Sequence, residues 1–143
     1  LSLHDALPIY VTDAVTHQDL DEVRLGLNAF NSRFINIDEI KAIGVFVTDE
    51  HGKKRAGLTG STTGNWLRID MLWVSDALLG QGVGTQLIGA AEEEARRRGC
   101  RYAQVDTASF QARPFYEKLG YSLRFSLDNY PRHHQRHYLS KAL

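Results

Sequence analysis

The sequence has a single cysteine, no excess of charge of either sign and no long apolar run. One cysteine, Cys100, excludes an internal disulfide and a cysteine-built zinc site. It fits a reducing compartment, so the cytoplasm is the expected location. Cys100 itself reads as a small apolar residue just behind a helix. Seventeen lysines and arginines balance seventeen aspartates and glutamates, which removes the electrostatic case for a nucleic-acid or membrane-surface partner. No apolar stretch approaches the roughly 20 residues needed to span a bilayer. What is present suffices for a folded domain: 43% of the residues are hydrophobic, too many for a disordered chain, and 143 residues suit one domain.

The first nine residues, LSLHDALPI, carry an acid and a histidine early and no basic region, and so make a poor signal peptide. They read as the translation of a sequencing adapter, an assembly scar. The expected domain therefore covers residues 10–143.

Residues 10–14 (YVTDA) read as a first short strand. Thr16 with Asp19 three residues on forms a helix-start signal. Leu20, Val23, Leu27 and Phe30 then recur at helical spacing, predicting a helix over 17–30. Strands are expected at 43–48, 55–62 and 66–74, joined by the turns DEHGKK and Gly64-Asn65 into an antiparallel meander. Alternation in WLRIDMLWV is clean through Asp70 and then breaks into an all-apolar run, as a β-bulge or two-sided burial would produce. Trp66 and Trp73 are expected to pack on the sheet rather than stack on a ligand.

A glycine-rich loop then opens a helix over 83–98, with Val83, Leu87, Ile88, Ala91 and Ala95 as its apolar stripe. Glu92, Glu93 and Glu94 each precede an arginine by four residues. That run reads as a solvated helix face, not a nucleic-acid patch. Gly99 stops the helix. A strand at 102–107 follows and should run parallel to 66–74 in a right-handed βαβ unit. A short helix over 111–119 and closing strands at 121–127 and 137–143 complete a mixed α/β (α+β) chain without internal repeats.

The most informative segment is GQGVGT, from Gly80 to Thr85. Glycines let backbone approach a ligand closely, and a helix start offers unpaired N–H groups and the positive end of a dipole. Together they suit phosphate. A ligand-free glycine turn satisfies the same pattern. The spacing fits neither the dinucleotide fingerprint G-x-G-x-x-G nor a nucleotide P-loop, which needs a lysine.

The same segment resembles the acetyl-coenzyme A loop of the GNAT N-acetyltransferase family, Q/R-x-x-G-x-G/A, which falls on Leu79, Gly80, Gln81, Gly82, Val83 and Gly84. Leu79 stands where arginine or glutamine is usual. A second segment, SFQARPFYEKLGY, resembles the family's N-x-x-A-x-x-F-Y-x-K-x-G-F/Y motif at Ala112, Phe115, Tyr116, Lys118, Gly120 and Tyr121, with Ser109 in place of the asparagine. The resemblance covers about residues 43–143.

It implies a central, mostly antiparallel sheet with one parallel, splayed pair and flanking helices. It also implies transfer of acetyl from acetyl-CoA to an amine by direct attack in a ternary complex, without a metal. The cosubstrate would lie along Leu72, Trp73, Val74, the loop from Leu79 to Thr85, Ser109, Ala112 and Tyr116. Leu79 would supply a backbone amide, and the amide of Leu72 or Val74 would hold the oxyanion. Tyr116 is the implied general acid, since a phenol is protonated at neutral pH. Asp70 is the first candidate base and Asp106 the second; Asp70 paired with Arg68 as an ordinary strand carboxylate is the competing reading.

Polyamines, aminoglycosides, amino acids and protein N-termini are all compatible acceptors, and the resemblance leaves room for a homodimer. Two other classes stay open: an acyl-CoA sensor without catalysis, and a nucleotide-binding module. His133, His134 and His137 form no metal set with a cysteine or carboxylate nearby. They read as polar loop residues, with His134 a candidate for the acceptor pocket. The tail resembles that of a subgroup of small bacterial GNAT proteins at Asp128, Tyr130, Pro131 and His134, with His133 where glycine is usual.

Overall fold

The computed structural model describes residues 7–143. The expected adapter scar therefore falls mostly outside the described residues. Two compact units are present, Leu1–Ile37 and Asp38–Leu143.

In the first unit the expected strand at 10–14 does not form. YVTDA has strand-forming residues but no pairing partner, and a strand exists only through its pairing. Helix α1, His17–Asn31, starts where the threonine signal places it. Thr16 Oγ1 accepts from the Asp19 N–H at 3.1 Å, and Asp19 Oδ2 accepts from the Thr16 N–H at 2.9 Å. Its apolar stripe, Leu20, Val23, Leu27 and Phe30, is exposed.

The second unit is a six-stranded sheet of order β1-β2-β3-β4-β6-β5, formed by β1 Ile40–Thr48, β2 Lys54–Thr63, β3 Trp66–Val74, β4 Tyr102–Ala108, β5 Ser122–Asp128 and β6 Gln135–Ala142. Helix α2 is Val83–Arg97 and the short α3 is Arg113–Lys118. All strand pairs are antiparallel except β3 and β4, which run parallel as the βαβ reading requires. The core lies on the α2 side of the sheet, where Leu58, Leu67 and Ile69 meet Leu87, Ile88, Ala91 and Ala95. Cys100 is buried there, as expected for a small apolar residue. Trp66 packs at a tilt against Tyr102 across the parallel pair, ring centroids 5.0 Å apart, whereas Trp73 is more than half exposed.

Two features of β3 shape the site. Its pairing with β4 stops at Ile69↔Val105. Beyond that point the strands part, and the β4-facing backbone groups of β3 from Asp70 onward have no strand partner. Asp70 is also the extra residue of a β-bulge: Gly60 pairs with Ile69, and Thr59 with Met71. The break in alternation at Met71 is therefore a bulge, as the pattern allowed.

The charged run on α2 corrects an expectation. Glu92 is not on a solvated face. It is buried, accepts a hydrogen bond from Tyr121 Oη at 2.8 Å and is bridged by Lys141 Nζ at 2.9 and 3.0 Å. Residue 92 lies one turn after Ile88, on the apolar side, and its partners come from the distant segments around β5 and β6. Glu94 does follow the i,i+4 rule and pairs with Arg98 at 2.8 Å.

Candidate active site

After β3, a 3-10 turn, Asp76–Leu78, leads into the glycine loop and α2. Gly80 and Gly82 adopt φ of +77° and +75°, which side-chain-bearing residues rarely tolerate. Gly82 is the N-cap of α2 in this left-handed form. The space beside both glycines, where a Cβ would stand, is open. Among the described residues, the six successive amides of residues 80–85 donate to no protein acceptor. The first turn of α2 holds no acidic side chain. Six free donors, leading into and opening the positive end of a 15-residue helix, suit an anion.

Leu79 differs from its expected role. Its N–H donates to the Asp76 carbonyl at 3.3 Å and is not free, and its side chain is 60% exposed at the mouth of the loop. Leu79 thus offers the ligand an aliphatic wall and no donor.

The loop forms one side of a pocket of about 500 Å³. Leu72 and Val74 from the unpaired end of β3, Leu79, Gly80, Gly82, Val83, Gly84, Thr85 and Ala112 line it, all of them anticipated. Leu78 and Phe115 also line it and are not among the residues the resemblance sets along the cosubstrate. Phe115 was recoverable from its place in the F-Y-x-K-x-G segment. A Cβ on Gly84 would come within 3.2 Å of the Phe115 ring, so glycine at 84 lets α3 close against the first turn of α2.

Trp73, Gln81, Ser109 and Tyr116 are not among the lining residues. Gln81 Nε2 donates to the Ala77 carbonyl at 3.2 Å and braces the loop. Ser109 Oγ accepts from the Gln135 N–H at 3.0 Å and lies 3.5 Å from His134 Nδ1. It stitches the end of β4 to the start of β6. His134 also sets its ring edge-on to Phe110, while His137 is buried in β6 against Ser126 Oγ at 2.7 Å, so the histidines are dispersed.

Tyr116 sits one residue behind Phe115, 6% exposed, edge-on to both Phe115 and Tyr121. Burial, and secondarily the negative charge of Asp106, push its hydroxyl up to about 12. The phenol is therefore a hydrogen-bond donor throughout the neutral range. Asp70 and Asp106 are the first residues on β3 and β4 beyond their last pair. Asp70 is half exposed and lies 3.3 Å from Arg68 Nε. Asp106 is less exposed, and Arg136 Nε and Nη2 both reach its Oδ2, at 2.6 and 2.5 Å.

The acetyltransferase (GNAT) family profile matches residues 9–121. The chain belongs to the GNAT acetyltransferase family. A blasticidin-S acetyltransferase of Streptomyces morookaense is 38% identical over 105 residues, which cover 73% of this chain and 77% of that protein. An acetyltransferase of Agrobacterium fabrum is 33% identical over 70% of this chain and 73% of its own length. Among solved structures, an acetyltransferase from Agrobacterium tumefaciens superposes with a TM-score of 0.86 at 29% identity, covering 96% of this chain and 100% of that one. The forked β3–β4 pair and the glycine loop of this GNAT acetyltransferase are thus features of an acyltransferase, and the dinucleotide reading that spacing disfavoured is set aside.

Proposed function

We propose that this chain is an N-acetyltransferase that holds acetyl-CoA in the glycine-loop pocket and passes its acetyl group directly to the amine of a small molecule. The observation that carries the reading is the run of six unpartnered amides in a pocket shared with Leu72 and Val74 of the unpaired end of β3. A diphosphate on those amides leaves the pantetheine arm to follow the apolar wall of Leu72, Val74, Ala112 and Phe115. A fold neighbour from Bacillus anthracis, 18% identical, was solved in complex with acetyl coenzyme A.

The thioester then sits beside the unpaired edge of β3, whose N–H groups are available to the developing oxyanion. The buried phenol of Tyr116 is the donor for the departing sulfur. With its pKa about 12, against about 8.5 for an ordinary thiol, it stabilises the thiolate by hydrogen bonding rather than by complete proton transfer. Blasticidin S is the first acceptor to try, because the relative named for it is the 38%-identical one.

The test is thiol release from acetyl-CoA with blasticidin S, a polyamine, an aminoglycoside and an amino acid. Tyr116→Phe is expected to lower kcat by about 10- to 100-fold, the range for losing one donor to a developing charge, with acetyl-CoA affinity changed little. Acetyl-CoA binding without release for any amine would make the chain a sensor.

The exposed Leu79 gives a gain-of-function test. Leu79→Arg places a guanidinium at the mouth of the anion cradle. At this exposure the gain is modest, about 3- to 5-fold in acetyl-CoA Kd by titration calorimetry. It should fade in high salt. An unchanged Kd at low salt would mean that the diphosphate lies elsewhere.

A further inference from the structure

Asp70 and Asp106 are the two carboxylates at the crotch of the fork, and their surroundings differ. Asp70 occupies the bulge, half exposed, and pairs with Arg68 of its own strand. Asp106 is set deeper, on the strand that β6 flanks, opposite Tyr138. Both nitrogens that Arg136 offers converge on the same oxygen, Oδ2, and among the described residues no hydrogen bond reaches Oδ1. Arg136 is in turn held from behind by the Tyr130 ring, 5.5 Å from its guanidinium carbon. The result is a carboxylate fixed in orientation with one oxygen left to a ligand. Its negative charge, after burial, helps push the Tyr116 hydroxyl up.

From this geometry we infer that Asp106, held by Arg136, receives the proton of the attacking amine, with Asp70 outside the reaction. The inference rests on the acetyltransferase reading above. In the step, the amine nitrogen bonds to the thioester carbon and the C–S bond breaks. The nitrogen's proton passes to Asp106 Oδ1 and on to water. The thiolate leaves with the bonding pair, hydrogen-bonded by Tyr116, and takes a proton from water. The charged and titratable groups set against Asp106 are Arg136 and Tyr138 of β6, and its charge also acts on Tyr116 of α3. Arg136 is a positioning residue. It fixes which oxygen is free.

The test compares Asp106→Asn, Asp70→Asn and Arg136→Met across pH, using the amine that the wild type acetylates best. Asp106→Asn should lose about 100-fold in kcat and lose the acidic limb of the pH–rate profile, with acetyl-CoA Kd within about 3-fold of wild type. Asp70→Asn should stay within about 5-fold, its profile unmoved. Arg136→Met should lower kcat by about 10-fold at unchanged KM, and Arg136→Lys should restore most of it, because a cation again holds Oδ2 and leaves Oδ1 free. That split reports on the positioning of Asp106 even if Asp106→Asn fails to fold. Retained activity and limb in Asp106→Asn, loss in Asp70→Asn instead, or an unchanged kcat in Arg136→Met would overturn the assignment. A wild type that acetylates no amine would sink the acetyltransferase reading and this inference with it, whereas an active wild type with an unaffected Asp106→Asn sinks only the latter.

Discussion

Gly60→Ala is expected to lower the melting temperature by about 10 °C, equivalent to roughly 3 kcal/mol or more for a chain of this size. A Cβ at Gly60 would lie 2.1 Å from the Arg68 carbonyl oxygen and 3.2 Å from the Ile69 Cα. Both are backbone atoms of the strand next door, so no side chain can swing away. The close approach exists because Asp70 is squeezed out as a bulge opposite Gly60. Alanine would force β2 and β3 apart, or force the bulge out and slip the register of residues 71–74 by one. A one-residue slip turns Leu72 and Val74 away from the pocket. Activity of the folded fraction should therefore fall along with stability. Gly89→Ala is the control. Gly89 lies within α2 with nothing within 4 Å of a Cβ, and alanine there should stabilise by about 0.5–1 kcal/mol. Both values come from thermal unfolding followed by circular dichroism. A Gly60→Ala protein that melts with the wild type would show that the bulge does not depend on glycine.

What could be read beforehand follows from how local each signal is. β3 was bounded correctly at both ends, and its bulge was visible in the broken alternation, because period-two patterning is a property of neighbours. The need for glycine at 60 was not visible, since it arises from a contact with Arg68 across the hairpin. The glycine loop was legible through backbone freedom alone. Its donors are amides, indifferent to most side chains, but which amides are free depends on the turn before them. Leu79 lost its amide to Asp76 for that reason. The strand anticipated at 10–14 had propensity without a partner. Glu92 has both an arginine four residues on and a place on the apolar stripe, and the stripe decides its burial. A glutamate one turn after Ile88 and one residue after Ala91 is a signal for a buried carboxylate.

That carboxylate carries the second large effect. Lys141→Met is expected to cost about 3 kcal/mol, the lower end of the range for removing one partner from a buried ion pair. The lower end applies because about a fifth of the Lys141 side chain is exposed, while Glu92 retains 7%. Without the ammonium, the buried carboxylate keeps one hydrogen bond, from Tyr121, in place of three. Replacing the whole set with apolar side chains should be far less harmful: Glu92→Met, Tyr121→Phe and Lys141→Met together are expected to regain most of the loss, because no charge is then left unpaired. Denaturant unfolding of the single and triple variants measures both, and a single variant within 1 kcal/mol of wild type would show that water substitutes for Lys141. The network also bears on catalysis. It joins α2 to β6 through Lys141 and also holds Tyr121, whose ring packs edge-on against Tyr116 at 6.0 Å. The triple variant retains that ring and should keep the phenol of Tyr116 in place. Its acetyl transfer at 25 °C should then exceed that of Lys141→Met, which separates the support of Tyr116 by packing from any direct part for Glu92 in the reaction.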